Sequence, residues 1–175
     1  MRNYINCSDV QMQKYLEGLF EDVCEIPTYK GKKKVYFAGP WFTDKAKACY
    51  DYCSAVSRVL GKRRKYDVFW PRYMKKCSPQ QAFRKDIEEL DKADIVIAFI
   101  SDKDVGTAFE IGYAKAKNIP VVLLVFDETD FESKTNLMLA YAGKAIPISK
   151  FDKFLLNELT PDDYIDTDFK WEAIE

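Results

Sequence analysis

The richest stretch of chemistry in this chain follows its most apolar run. It reads Ser101-Asp102-Lys103-Asp104-Val105-Gly106-Thr107-Ala108-Phe109-Glu110-Ile111-Gly112-Tyr113-Ala114. Spacing makes this a loop that opens a helix over 105–117. Glu110 then falls in the first or second turn, where the helix dipole favours the carboxylate that a nucleophile or anchoring anion needs. Asp104 stands at or just before the N-cap and points into the same crevice. Taken singly, Asp104 reads as a plain cap and Glu110 as a favourable helix charge. Their company alters that reading. Phe109, Ile111 and Ala114 are apolar, so a charge among them has to face a cavity or be paired. Gly106 lets a ligand approach the backbone closely, and Gly112 is expected to allow close helix packing.

Whatever this site does, it does without imidazole, because the chain has no histidine. Ser-His-Asp and Cys-His nucleophiles and imidazole-based zinc sites are therefore excluded. Proton and nucleophile work falls to carboxylates, Tyr, Lys or Cys. The five cysteines contain no CxxC pair, and Cys49 and Cys53, four apart in a helical pattern, are read as buried free thiols. No metal site or cofactor is expected. Neither GxGxxG nor GxxxxGK[ST] occurs, so a dinucleotide fingerprint and a P-loop are both missing.

The elements that must position these groups alternate. Val35, Tyr36, Phe37 and Ala38 form a short apolar strand broken at Gly39-Pro40, with Trp41 and Phe42 directly after. Either aromatic ring can cover core or, at a ligand mouth, stack on a flat base. A helix over 43–60 follows, with Ala46, Cys49, Tyr50, Cys53, Val56 and Leu60 inward and Gly61 as its end; 62–65 is a basic turn. A second strand spans 66–70. The next helix, 78–92, has Ser78 as N-cap and Pro79 at its first position, and an apolar face of Ala82, Phe83, Ile87 and Leu90. On that spacing Asp86 is a solvated residue. The strand expected at 94–100 carries a continuous apolar run from Ile95 to Ile100, as a parallel strand covered on both faces requires. Further strands are expected at 119–126 and 145–149, and helices at 136–141 and 151–159. Ahead of them, Val10, Met12, Tyr15, Leu16, Leu19, Phe20, Val23 and Cys24 make one helical stripe, and 30–34 reads as a solvated basic turn.

This alternation predicts a single-domain α/β fold: a doubly wound, mostly parallel five-stranded sheet, flavodoxin-like or Rossmann-like, with an extra N-terminal helix. Ligands of such sheets bind beyond the carboxyl ends of the strands, which singles out the loops 39–43, 71–79 and 101–107. The chain of 175 residues suits one domain. It is divided as an N-terminal extension, 1–33, the α/β domain, 34–160, and an acidic tail, 161–175. Lys and Arg number 27 against 28 Asp and Glu, a balance that argues against general nucleic-acid binding and does not drive membrane binding. No signal peptide or spanning segment is read, so a cytoplasmic protein is expected.

Four blocks taken together resemble the nucleoside 2-deoxyribosyltransferases. They are Tyr36-Phe37-Ala38-Gly39-Pro40-Trp41-Phe42, the helix-to-strand stretch from Asp86 to Asp94, Asp104 to Tyr113, and Asn136-Leu137-Met138. The likeness covers about 34–148, and the blocks keep the family's order and compatible spacing. It implies exchange of the base on a 2′-deoxyribonucleoside through a covalent deoxyribosyl-enzyme. By that resemblance Glu110 attacks C1′, Asp104 holds the 5′-hydroxyl side of the sugar, Asp86 contacts the base and handles its proton, and Tyr36 orients the nucleophile. Gly39, Trp41, Phe42 and Gly106 line the substrate. Asn136 and Met138 complete the pocket of a neighbouring subunit, which implies a homo-oligomer, dimer-based and up to a hexamer, acting on small deoxyribonucleosides and free purine or pyrimidine bases.

Elementary chemistry agrees with these roles, since retaining glycosyl transfer needs a carboxylate nucleophile and a second group to protonate the departing base. A related reading is a hydrolase of deoxyribonucleoside 5′-monophosphates. Those relatives usually carry a serine six residues before the nucleophilic Glu, whereas this chain has Asp104 there, and a carboxylate beside a phosphate dianion is repulsive. A non-catalytic nucleoside-binding module is the third reading. It has no use for the full set of Tyr36, Asp86, Asp104 and Glu110. The stretch 71–83 is shorter than in the lactobacillus-type enzymes, and residues 1–33 lie outside the likeness.

Overall fold

The computed structural model describes residues 33–63, 66–100, 104–125, 135–156 and 173–174. The N-terminal helical stripe, the loop centre at 101–103 and most of the acidic tail lie outside the described residues. Five strands form one parallel sheet: β1 (Lys33–Ala38), β2 (Tyr66–Phe69), β3 (Ile95–Phe99), β4 (Val121–Val125) and β6 (Lys144–Pro147), in the order β2-β1-β3-β4-β6. Between them run helices α1 (Asp44–Arg63), α2 (Pro79–Leu90) and α3 (Val105–Ala116), with short α4 (Leu137–Ala140) and α5 (Phe151–Leu156) near the end. The strand order is the flavodoxin-like one. Its reversal lies between β1 and β3, and it is beyond the carboxyl ends at such a point that ligands of these sheets bind.

Side-chain alternation divides β1 between two cores. Val35 and Phe37 face α1 and α5, in a cluster with Cys49, Tyr50, Cys53, Ile97, Leu124, Phe151 and Phe154. Tyr36 and Ala38 face α2 and α3, with Leu90, Val96, Ala98, Ile111, Ala114 and Leu123. Strands β3 and β4 are buried along their whole length, as continuous apolar runs in a doubly covered sheet must be. Cys49 and Cys53 are buried free thiols, and burial pushes the Cys53 thiol up.

Local signals account for the helix ends. Ser78 accepts from the Gln81 backbone while the Gln81 side chain accepts from the Ser78 backbone, a complete capping box with Pro79 inside it. Helix α3 ends with Asn118 at φ 58°, Asn118 N–H bonding to Lys115 O and Ile119 N–H to Ala114 O, the paired closure of a left-handed helix stop.

Several expectations need correction. Gly61 does not end α1, which continues to Arg63; a lone helical Gly costs about 1 kcal/mol against Ala and does not by itself stop a helix. Lys33 and Lys34 belong to β1 rather than to a turn, pairing with Tyr66 and Asp67. Gly112 is exposed and a Cβ there would meet nothing within 4 Å, so it serves no close packing in this chain. Phe83, expected on the apolar face of α2, is 57% exposed. A second, two-residue sheet was not foreseen: β5 (Thr135–Asn136) pairs in parallel with β7 (Ala173–Ile174), which returns part of the tail to the body. No helix among the described residues is long and apolar enough to cross a membrane.

Candidate active site

At the reversal point, β1 supplies Tyr36, α2 supplies Asp86, and the β3–α3 junction supplies Asp104 and Glu110. Tyr36 is fully buried, and its hydroxyl donates to Glu110 Oε1 at 2.5 Å. That bond engages one oxygen of the carboxyl and leaves Oε2 outside it. Asp104 caps α3: its Oδ2 accepts from Thr107 N–H at 2.7 Å and from Thr107 Oγ1 at 2.9 Å. The cap uses one carboxylate oxygen, and among the described residues no donor meets the other. Gly106 borders the same group, since a Cβ there would lie 3.1 Å from Asp104 Oδ2.

Electrostatics departs from the dipole expectation. Glu110 is the sixth residue of α3, beyond the first turn in which the dipole acts strongly. Burial dominates instead and pushes its carboxyl up to about 7; the Tyr36 hydrogen bond opposes the rise, while the charges of Asp86 and Asp104 add to it. Asp86 also departs from its solvated reading. It is half-buried, its Oδ1 is enclosed with no hydrogen-bond partner among the described residues, and burial raises it to about 6. The Tyr36 hydroxyl is held far above the usual phenol range, by burial first and then by Glu110. It therefore stays a neutral donor. Two raised carboxyls beside a phenol that stays neutral are groups of the kind that environment tunes at functional sites.

One aromatic ring lies directly against this group, and Trp41 packs instead with the α1-side core. Phe69, at the end of β2, stacks on Tyr36 at 5.5 Å. Trp41 is half-buried against Tyr50, at 6.1 Å, and Phe42 stands 69% exposed beside it, at 5.3 Å. Gly39 is buried at the end of β1, where a Cβ would come within 3.2 Å of Phe99 Cβ; the close approach of β1 to β3 calls for Gly there. Thr107, which is buried, and Phe69 are neighbours of the group that spacing did not single out. The Asp-x-x-Thr pattern from 104 to 107 is a legible capping signal, whereas Phe69 carries none until strand pairing is known. Asn136 and Met138 are both exposed, and Asn136 Oδ1 caps the Met138 N–H at 2.9 Å; among the described residues no hydrogen bond joins either to the carboxyl group of residues.

Fold and site together define a parallel α/β protein with buried carboxyls gathered at its switch point. The chain belongs to the nucleoside 2-deoxyribosyltransferase family, whose model matches residues 35–140 and so takes in Tyr36, Asp86, Asp104, Glu110, Asn136 and Met138. Family membership supports a nucleoside-processing enzyme. A Thermofilum pendens protein, provisionally named 2′-deoxynucleoside 5′-phosphate N-hydrolase 1, is 35% identical over 54 residues, 31% of this chain; the match spans only 38% of that relative's length. Among solved structures, a conserved protein from Enterococcus faecalis V583 superposes with TM-score 0.58 at 22% identity, over 73% of this chain and 99% of that one. The 2-deoxyribosyltransferase of Bacillus psychrosaccharolyticus does so with TM-score 0.53 at 22% identity, over 81% of this chain and 99% of that one. At such identities these two likenesses speak for the fold.

Proposed function

We propose that this protein transfers the 2-deoxyribosyl group between nucleobases through a covalent intermediate on Glu110. The observation that carries the reading is the buried Tyr36–Glu110 hydrogen bond beside the unpartnered, enclosed Asp86 Oδ1. Glu110 Oε2 attacks C1′ while the C1′–N bond breaks, its electron pair passing to the base. Protonated Asp86 gives its proton to that base nitrogen. Tyr36 holds Oε1 and so fixes which oxygen attacks. Asp104 takes the 5′-hydroxyl, and Trp41, Phe42, Gly39 and Gly106 border the substrate. An incoming base then loses a proton to Asp86, attacks C1′ and releases Glu110, with net retention.

Assembly as a homo-oligomer is part of this proposal. Val105, Phe109, Met138 and Tyr141 are each at least half exposed, apolar surface that a neighbouring subunit would cover in this proposal. In this proposal the exposed Asn136 and Met138 complete a neighbouring subunit's pocket.

The likeness to the Thermofilum protein favours a second reading in which water takes the place of the acceptor base. Both readings share the first half-reaction. Asp104 in place of a phosphate-binding hydroxyl supports the free nucleoside as substrate. The deciding experiment is incubation with deoxyinosine and free adenine or cytosine, with product nucleosides followed by chromatography. A new deoxynucleoside supports transfer, free hypoxanthine alone supports hydrolysis, and no turnover supports a binding module. Glu110→Ala should abolish turnover while the fold persists; undiminished turnover would overturn the covalent mechanism.

A further inference from the structure

Glu110 owes its orientation to Tyr36, which raises the question of what holds Tyr36. The Tyr36 ring is flanked by residues of the two neighbouring strands. In the sheet register Tyr36 lies opposite Phe69 on β2 and Val96 on β3. Along β2 the side chains alternate, with Tyr66, Val68 and Trp70 packing toward the α1 core and Phe69 toward the α2–α3 core. Phe69 is therefore the residue of β2 that meets the Tyr36 ring. The rings stack with centroids 5.5 Å apart and planes 30° from each other. A phenol between a flat ring on one side and a branched aliphatic on the other has little freedom to swing, and its hydroxyl stays on Glu110 Oε1.

We propose that Phe69 is a positioning residue of this site, acting through the Tyr36 ring to keep the Tyr36 hydroxyl on Glu110. Its catalytic consequence rests on the proposed role of Glu110, but its physical consequence does not. The Tyr36 hydrogen bond lowers the Glu110 pKa, so loosening Tyr36 lets the carboxyl rise further and leaves less carboxylate at neutral pH.

The test uses the full chain with 13C-labelled glutamate carboxyls, the Glu110 signal being assigned by its loss in Glu110→Gln. Phe69→Leu is expected to shift the Glu110 titration to higher pH and to lower kcat about two- to tenfold with KM little changed, the range an aromatic pair carries. Phe69→Tyr, which keeps the ring, should stay near the parent protein. Tyr36→Phe should produce a larger shift, and adding Phe69→Leu to it should change the Glu110 titration no further. If the leucine variant loses the fold, Phe69→Met is measured instead. An unmoved Glu110 titration in the folded Phe69 variant, or full additivity with Tyr36→Phe, overturns the proposal. Persisting turnover in Glu110→Ala would instead overturn the covalent reading, and the titration would still decide the role of Phe69.

Discussion

Replacing Glu110 by Gln should make the protein more stable at alkaline pH while removing its activity. A carboxyl whose ordinary value is 4.5 is raised to about 7 in the fold, so the folded state holds this proton more tightly than the unfolded chain. At about 1.4 kcal/mol for each tenfold change in proton affinity, the ionised form is disfavoured by about 3 kcal/mol. The sign follows from linkage. Below pH 4.5 the group is protonated in both states and costs nothing; between 4.5 and about 7 stability falls as pH rises; above 7 the full penalty persists. Gln fills nearly the same volume, keeps an oxygen for the Tyr36 hydroxyl and carries no charge. Allowing for the partial exposure of the site, Glu110→Gln should gain about 2 kcal/mol at pH 8 and close to none at pH 4, worth about 4–8 °C in Tm for a domain of this size. Urea unfolding followed by circular dichroism at both pH values measures it. Equal stabilities at pH 8, or a gain that is larger at pH 4, would refute the claim that the site holds its nucleophile at a cost in stability.

Three further outcomes are expected. If one proton shared by Asp86 and Glu110 is needed, kcat/KM should be bell-shaped, falling below about 6 as both protonate and above about 7 as both ionise; a flat profile from pH 5 to 9 would count against the pair. Gly143→Ala should destabilise by about 1–3 kcal/mol, because its Cβ would lie 2.3 Å from the Val121 backbone oxygen and force β4 and β6 apart; thermal unfolding of the two proteins checks this. Sedimentation at assay concentrations should find an oligomer, and Met138→Glu should weaken both assembly and turnover, whereas an active, stable monomer would contradict the shared pocket.

Much of the fold was legible because parallel strands and their covering helices leave strong local marks. The unbroken apolar run at 95–100 could only be a strand buried on both faces, and Ser78-Pro79 announced the start of α2. Asp104 as the cap of α3 was readable for the same reason, since a cap bonds within three residues of itself. The two-residue pairing of β5 with β7 was not readable: Thr135–Asn136 and Ala173–Ile174 are too short to show a period. Gly61 misled because a helix end depends on what packs around it as well as on one residue's propensity.

By itself, the sequence determined the class of chemistry. The absence of histidine leaves carboxylates, Tyr, Lys or Cys for proton and nucleophile work, and the order of strands and helices puts their loops at one end of a sheet. Only the tertiary structure decided the state of those groups. Tyr36 and Glu110 are 74 residues apart, and nothing in either segment states that they share a proton donor and acceptor. Asp86 reads as solvated along its helix but is enclosed once α2 lies against β1 and α3, and Phe69 becomes part of the site only through its register with Tyr36. The physical reason is one of range. Periodicity records which side of an element is apolar, while desolvation and orientation are set by the neighbours that the folded chain brings to each polar group.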